Sequence, residues 1–365
     1  MKVLRFVLLA GVSSAAVIEA GSSAPALVDL GLLLDSPFTY MFSLSDDGNA
    51  ASGHSGGDVS LWTRSAGLEA IDMLPNASFG YGFGLSGDGT TMVGYDLERS
   101  GNHRAFRWSA TEGVSQLESL PSGTGTYAWG VSRDGAVIVG SNLAQGGLHA
   151  VRWTAPEGVT VLGNIPGYLG GEALDVSGDG RTIVGVNRNI DTEQRAFRWT
   201  AESGTRGLEL LSGEQGESRA NGISGDGRVI VGFSDSLEGR RAVRWVDGTA
   251  EDLGMVDGFS LAGAVNANQD GSVVVGALRE GNLRHAFYWS ESLGMVDLNE
   301  YLPSLGVDLT GWVLTSAEDV SADGQTILGL GLFAGNTRSW VVTIPSPSAV
   351  GLMAFAGIAC ARRRR

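Results

Sequence analysis

Short apolar runs alternate with glycine-rich polar turns along most of this chain, and one phrase of this kind recurs. In residues 177–185, SGDGRTIVG, the pair Asp179-Gly180 precedes a run of largely β-branched apolar residues. Similar phrases are SGDGTTMVG (86–94), SRDGAVIVG (132–140), SGDGRVIVG (224–232), NQDGSVVVG (268–276) and SADGQTILG (321–329). An Asp-Gly pair before an apolar strand predicts a two-residue hairpin turn with positive φ at both positions. The recurrence indicates a repeat protein.

The repeat unit is about 45 residues long and occurs seven times. Its Asp-Gly pairs begin at residues 47, 88, 134, 179, 226, 270 and 323. A tryptophan follows near the end of each unit, namely Trp62, Trp108, Trp153, Trp199, Trp245, Trp289 and Trp340. Unit four reads as four strands, ALDVS (173–177), RTIVGV (181–186), RAFRWT (195–200) and GLELL (207–211). Four strands in a period of this length predict a β-propeller blade.

The two ends of the repeat array complement each other. Unit seven runs through Trp340 into VVTIPSPS without a fourth strand, whereas ALVDLG (26–31) reads as a fourth strand placed before unit one. We therefore predict an all-β fold, a seven-bladed β-propeller with four-stranded blades, closed by an N-terminal strand that completes the last blade. The alternative is an open solenoid of seven β units.

Composition narrows the function classes. The chain has a formal net charge of -15, and Lys2 is its only lysine. A nucleic-acid partner is not expected, because affinity for phosphate backbones comes mainly from a basic surface. The lack of lysine beyond Lys2 also excludes Schiff-base and P-loop chemistry in the body. Cys360, the only cysteine, lies near the C-terminus, so no disulfide is predicted in the body.

Both termini predict export. Residues 1–24 have the basic start, apolar run and small residues of a signal peptide. Residues 345–365 hold a Pro-Ser-Pro element, an apolar stretch at 349–361 and four terminal arginines. This tail resembles the PEP-CTERM sorting signal of bacterial exosortase systems, although Ser346 stands where glutamate is usual. The resemblance implies a sorting protease as partner and places residues 25–344 at the cell surface or in the extracellular matrix of a bacterium, with membrane contact only through the tail.

The predicted third strands carry a second recurring motif. It reads HRAFRW (103–108), HAVRW (149–153), RAFRW (195–199), RAVRW (241–245) and HAFYW (285–289). Over residues 45–342 the chain resembles the HAF family of extracellular bacterial repeats, although units one and seven lack the His-Ala-Phe core. The resemblance implies an exported propeller and implies no reaction.

Residues that recur at one blade position are dispersed around a ring, so they are poor candidates for a site. The motif arginines are expected to pair within their own or the next blade; they are Arg107, Arg152, Arg198 and Arg244. His103, His149 and His285 also lie in different blades, so they do not converge as zinc ligands would. We predict no cofactor, although Asp and Asn in the variable loops have the oxygen ligands that a structural Ca²⁺ would need.

Residues that depart from the repeat are the better candidates. Ahead of each hairpin phrase, at the start of the innermost strand, the units differ; the candidates there are Tyr40, Tyr81, Tyr127, Trp129, Glu172, Arg219 and Glu318. The excursion at 299–314 adds Trp312. Aromatic faces beside a few polar groups indicate a surface for sugar or peptide. The alternative is that these rings only plug the channel.

These observations lead to a functional hypothesis. We expect a monomeric, non-catalytic propeller that acts in adhesion by binding an extracellular glycan or protein at its funnel. The alternative is a polysaccharide hydrolase or lyase that uses an acid pair such as Glu172 and Glu318. A scaffold without a ligand is the third reading.

Overall fold

The computed structural model describes residues 25–191, 193–213 and 215–344. The predicted signal peptide (1–24) and C-terminal tail (345–365), which includes Cys360, lie outside the described residues. The described chain is all-β apart from one short helix. Within this part, no helix is both long and apolar enough to cross a membrane.

After an initial strand, β1 (Leu27–Asp29), the chain forms successive antiparallel meanders. Units one to three contain β2 (Thr39–Leu44), β3 (Ala50–Ser55), β4 (Asp58–Thr63), β5 (Gly67–Ala70), β6 (Ala77–Leu85), β7 (Thr91–Glu98), β8 (His103–Ser109), β9 (Gly113–Gln116), β10 (Gly125–Val131), β11 (Ile138–Ala144), β12 (Gly147–Thr154) and β13 (Gly158–Val161). Units four to six contain β14 (Gly170–Val176), β15 (Ile183–Arg188), β16 (Gln194–Thr200), β17 (Gly204–Gly207), β18 (Ser218–Ile223), β19 (Val229–Ser236), β20 (Gly239–Val246), β21 (Thr249–Asp252), β22 (Leu261–Ala267), β23 (Val273–Glu280), β24 (Leu283–Ser290) and β25 (Gly294–Asp297). The chain then forms α1 (Leu298–Ser304), β26 (Trp312–Val320), β27 (Thr326–Phe333) and β28 (Asn336–Thr343).

The backbone hydrogen bonds define five four-stranded sheets and one eight-stranded sheet. The predicted all-β propeller with four-stranded blades is confirmed, but the prediction of seven separate blades is not, since only five sheets stand alone. Units two and three share the eight-stranded sheet because β8 and β10 approach closely enough for one parallel pair, His103 with Gly125. The hydroxyl of Thr126 accepts a hydrogen bond from the Ala105 N–H at 2.7 Å and holds the two strands together.

The strands close into a ring. The first strands of the units, β2, β6, β10, β14, β18, β22 and β26, each contact the next, and β26 contacts β2. β1 pairs antiparallel with β28, with Leu27 opposite Val342, and Asp29 forms an ion pair with Arg338 at 3.1 Å. The N-terminal strand therefore completes the last sheet as predicted, and the open solenoid is excluded because the first and last units are in contact.

The recurring Ser-x-Asp-Gly phrase forms a self-contained turn. In unit four the Ser177 hydroxyl donates to the Asp179 carboxylate at 2.7 Å and accepts from the Thr182 N–H at 3.0 Å. The N–H of Gly180 bonds to the Ser177 carbonyl, and Gly180 has a φ of 72°. The predicted turn type is wrong, because Asp179 has no positive φ. Side-chain hydrogen bonds and the glycine shape a longer loop than the two-residue turn expected.

Apolar residues fill the spaces between neighbouring sheets. One core cluster combines Val184 and Ala196 of unit four with Ile230, Val243 and Trp245 of unit five. The Trp245 indole is fully buried, and its N–H donates to the Glu209 carbonyl at 2.7 Å. Both faces of these strands are covered, which explains why their sequences are nearly continuous apolar runs.

The ring has two unlike ends. We call the end with the Asp-Gly turns the turn end, and the opposite end, where the first strands begin, the open end. At the turn end a belt of backbone hydrogen bonds of 2.9 to 3.3 Å links each unit to the next; its N–H donors belong to Asp46, Gly87, Arg133, Gly178, Asp226, Gln269 and Ala322. The Ala322 N–H donates to the Asp46 carbonyl, so the belt joins the last unit to the first.

Candidate functional site

A bulge in every first strand shapes the wall of the central channel. In each of them the register with the second strand shifts at a residue that has no residue opposite it, and β6 and β26 have a second such shift nearer their start. Bulges re-aim side chains. The bulged residues line a cavity of about 460 Å³; they are Phe42, Phe83, Trp129, Leu174, Asn221, Val265 and Glu318. The same cavity continues to the turn end, where Asp46, Arg133 and Gln269 line it. The structure thus places at the central channel the first-strand positions that the sequence analysis assigned to the funnel.

Aromatic rings of units one to three cover one side of this channel. Each tyrosine lies beside the bulged ring of its own strand; the pairs Tyr40–Phe42, Tyr81–Phe83 and Tyr127–Trp129 have centroids 6.4, 5.7 and 5.7 Å apart. Phe83 joins the units, because its centroid lies 4.8 Å from those of Phe42 and Trp129. The structure therefore brings together all four aromatic candidates on the first strands.

Further rings enlarge this group, which we call the aromatic patch. Its members are Phe38, Tyr40, Phe42, His54, Phe79, Tyr81, Phe83, Tyr95, His103, Tyr127 and Trp129. All are partly exposed except His54, which is buried. Burial lowers the pKa of His54 to about 4, and burial with the neighbouring tyrosines raises the pKa of Tyr95 to about 12. Both side chains are therefore neutral at pH 7.

Charged side chains follow the aromatic patch in units four and five. Glu172 forms an ion pair with Arg188 at 2.9 Å, and the Tyr127 pKa is raised by burial and by the negative charge of Glu172. Arg219 lines the cavity in the next first strand. Its pKa is lowered mainly by burial, with Glu172 acting in the opposite direction. The channel wall therefore changes from apolar to charged between units three and five.

Glu318 lines the cavity from unit seven. Burial raises the pKa of its carboxyl group, while the Ser316 hydroxyl, which donates to it, and the charge of Arg284 act in the opposite direction. Glu172 lies on β14 and Glu318 on β26, with β18 and β22 between them in the ring. The proposed acid pair is therefore split between two sides of the channel.

Two aspartates, which the sequence analysis missed, link neighbouring units beside the cavity; Asp319 is buried and Asp175 is partly exposed. The Asp319 carboxylate accepts from the Leu44 N–H at 2.7 Å and from the Asn266 amide at 2.8 Å, and Asp175 accepts from the Ile223 N–H at 2.9 Å. Burial raises the pKa of both aspartates to about 7. The available signal was their position directly after the bulge, where other units have Gly84, Gly130 and Gly222.

Trp312 lies at the start of β26, at the open end, but apart from the aromatic patch. Its ring lies 5.1 Å from that of Phe333 across the β26–β27 hairpin, and it packs against the core that contains α1. Among the described residues its only aromatic neighbour is Phe333. The structure therefore does not join Trp312 to the other candidates.

The recurring arginines have partners in their own or the next unit, as expected. The pairs are Arg107 with Glu112, Arg152 with Trp199, Arg198 with Thr182 and Arg244 with Glu251. The histidines serve different local roles: His103 lies in the aromatic patch, whereas His285 contacts Asp297 at 2.5 Å. Over the described ranges, no group of three His, Cys, Asp or Glu side chains is arranged to hold a metal ion.

No family model and no curated protein matches this chain. Among solved structures, a streptogramin B lyase is similar with a TM-score of 0.55 and 11% identity, over 87% of this chain and 97% of that one. The β-propeller domain of the Trilobed protease from Pyrococcus furiosus is similar with a TM-score of 0.55 and 10% identity, over 84% of this chain and 95% of that domain. At these identities the likeness defines the fold alone: the chain is a β-propeller.

TolB from Acinetobacter baumannii is also similar, with a TM-score of 0.44 and 18% identity over 59% of this chain. This chain spans about half of that protein, since 53% of it is covered. A TM-score of this size carries no structural argument.

Proposed function

We propose that this chain is an exported β-propeller that binds an extracellular glycan at the open end of its ring, without catalysing a reaction. A protein ligand at the same surface is the alternative. We infer further that the ring has seven blades, because units two and three each keep four antiparallel strands and are joined by one parallel pair only. The proposed form is a monomer, and the binding needs side chains of this chain alone.

The aromatic patch carries this proposal. Its rings come from residues that differ between units, and nearly all of them are partly exposed. They are not needed to fill the spaces between sheets, because separate clusters of buried residues already do so. Neutral, partly exposed rings beside a few polar groups are suited to the apolar faces of sugar rings. This arrangement favours a binding surface over a simple plug.

The path of the chain supports display of the open end. The last described residue, Ile344, donates its N–H to the Gln325 carbonyl, next to the Asp-Gly turn of unit seven. β28 therefore ends at the turn end, and β1 begins there because it is antiparallel to β28. We propose that the tail at 345–365, sorted by an exosortase or held in a membrane, would leave the open end facing away from the cell. This is the orientation that an adhesion module of a cell surface or matrix requires.

Trp129→Ala tests the proposed surface. Wild-type protein is passed over a glycan array and immobilised extracellular polysaccharides, and retention is compared with that of the variant. We expect the loss of the ring to weaken retention roughly 2- to 10-fold, since stacked aromatic contacts contribute about 0.5–1.5 kcal/mol each. Trp129→Phe is the matched control, because it keeps a ring and should keep most of the binding. Retention unchanged in both variants would refute a glycan surface at the patch.

A polysaccharide-active enzyme is a second candidate, favoured by one observation. Glu318 lines the cavity with a raised pKa, as a general acid needs. A reducing-end assay on the same polysaccharides tests this candidate. Product formed by wild-type protein but not by Glu318→Gln would establish an enzyme and overturn the non-catalytic proposal.

A further inference from the structure

Arg219 differs from the other charged groups of the channel because it has no partner among the residues that the structure describes. Within the described part of the chain, no side-chain or backbone group forms a hydrogen bond or an ion pair with its guanidinium, although the residue lines the cavity. The neighbouring arginines are engaged: Arg188 pairs with Glu172 at 2.9 Å, and Arg240 pairs with Glu217 at 3.2 Å. Arg219 alone among these three is free for a ligand.

A partly desolvated guanidinium without a counter-charge is unfavourable by itself. Removing a charge from water costs free energy unless a partner compensates for it. In the described part of the chain, the one carboxylate close enough to affect its pKa is Glu172, which is already paired with Arg188. An anionic group that enters the cavity would therefore find a donor that nothing else satisfies.

The cavity wall beside Arg219 indicates what would carry this anion. Trp129 and Leu174 lie in the two preceding units, so an apolar wall leads from the aromatic patch to the guanidinium. Asn221, two residues along the same strand, adds a polar side chain to the wall. A ring that stacks on Trp129 and bears an acidic substituent would match this spatial order, in which an apolar wall leads from the aromatic ring to the guanidinium. The planar fork of arginine matches a carboxylate, with which it forms two parallel hydrogen bonds.

We propose that the central channel selects acidic saccharides, with the uronic-acid carboxylate held by Arg219 while the sugar rings stack on the aromatic patch. This inference rests on the proposed function and adds the class of glycan. The chain has a net charge of -15, which repels an anionic polymer. A local positive group such as Arg219 is therefore needed to hold one.

The test compares two probes that differ only in charge. The purified full-length chain is titrated with oligogalacturonates and with the same oligosaccharides after their carboxyl groups have been reduced to alcohols. We expect carboxyl reduction to weaken binding roughly 10- to 100-fold, since hydrogen bonds to charged groups contribute about 1.5–3 kcal/mol. Arg219→Gln should weaken binding of the acidic probe by a similar factor and leave binding of the reduced probe unchanged.

Two further variants serve as controls. Arg198→Gln removes an arginine that bonds to Thr182 outside the cavity lining, so it should change neither affinity. Arg219→Lys keeps the charge but loses the fork, and intermediate affinity is expected. Thermal melts of all variants establish that each is folded. If Arg219→Gln fails to fold, the affinities of Arg219→Lys and of the carboxyl-reduced probe test whether Arg219 holds the carboxylate.

The outcomes separate this inference from the function on which it rests. Equal binding of acidic and reduced probes, or binding of neutral glycans only, would overturn the acidic selectivity but leave a glycan-binding surface. Loss of all saccharide binding, with polymannuronate and glucuronate polymers included, would overturn both. If a sulfated galactan binds with equal affinity and this binding is lost in Arg219→Gln, the site selects anions in general and not carboxylates in particular. If every folded Arg219 variant binds the acidic probe as tightly as the wild type does, Arg219 is not part of the site.

Discussion

The turn end and the open end of the ring are built from different kinds of residues. At the turn end every unit repeats nearly the same turn, and backbone hydrogen bonds join the turns into a belt. At the open end the corresponding positions change from Tyr40 and Tyr127 to Glu172, Arg219 and Gly263. One end therefore provides a frame that is common to all units, and the other carries the side chains that distinguish them.

The open end also exposes isolated apolar side chains. Leu237, Leu34 and Ile190 are 98%, 93% and 80% exposed, and all three lie in connections at that end. At the turn end, polar side chains span the mouth: Arg133 contacts Asp46 at 2.5 Å and Gln269 at 3.3 Å. The most exposed apolar side chains therefore lie at the end where the repeat is least regular.

The largest expected effect is the loss of stability when a repeated glycine of a second strand is replaced by alanine. A Cβ added to Gly140 would lie 1.9 Å from the Tyr127 carbonyl oxygen, because the bulge brings the first strand close to the second. We expect Gly140→Ala to lower the free energy of unfolding by about 3 kcal/mol, as overpacking against rigid backbone does. Urea unfolding measures this change. Gly263→Ala is the matched control, since its Cβ meets only one atom, at 4.0 Å, and it should change stability by less than about 0.5 kcal/mol.

The two aspartates beside the cavity should make the free energy of unfolding depend on pH, with an effect of intermediate size. The pKa of Asp319 is about 7 in the folded chain, above the ordinary value of 3.8 for an aspartate, because the carboxyl group is buried, so the folded state binds this proton more tightly than the unfolded state does. The stability that follows is fully present below the unfolded pKa and is lost as the pH rises towards 7.

We expect the unfolding free energy to fall by about 2 kcal/mol between pH 5 and pH 7, because each pH unit between the unfolded and the folded pKa of Asp319 changes stability by about 1.4 kcal/mol. Asp319→Asn, which copies Asn266 of unit six, should remove part of this slope. Urea unfolding at both pH values gives the slope. An unchanged slope in the variant would show that Asp319 is not a source of it.

The smallest effect should come from the ion pair at the turn end. The Arg133 side chain is 51% exposed, so its pair with Asp46 is screened by water. Arg133→Gln should change stability by less than about 1 kcal/mol. Calorimetry measures this change. A larger loss would show that the pair with Asp46 is better shielded from water than the exposure of Arg133 indicates.

Most of the frame could be predicted from the sequence because its signals are local and repeated. The Asp-Gly turns, apolar second strands and packing tryptophans each follow from residues within one unit, and the missing fourth strand of unit seven indicated β1. The turn type could not be predicted from Asp179-Gly180 alone, because the Ser177 hydroxyl shares in closing the loop. The joined sheet of units two and three was missed for a similar reason, since it depends on a contact between units.

The candidate site could be predicted only in part. Comparison of units identified Tyr40, Trp129, Arg219 and Glu318, which the structure places in the aromatic patch or along the cavity. His54 was missed, because it lies on a second strand and reaches the patch only through its register opposite Tyr40. Asp175 and Asp319 went unnoticed because their importance depends on burial and on N–H donors of other units.

The sequence by itself determined the fold class and which residues depart from the repeat, since periodicity and turn chemistry act within a few tens of residues along the chain. Only the tertiary structure decided which departing residues meet. Ring closure brings Asp319 against Leu44, 275 residues apart, and leaves Arg219 beside an apolar wall, without a hydrogen-bond or ion-pair partner among the described residues. Such proximity depends on the curvature of the whole ring, which is the sum of the packing between all neighbouring sheets.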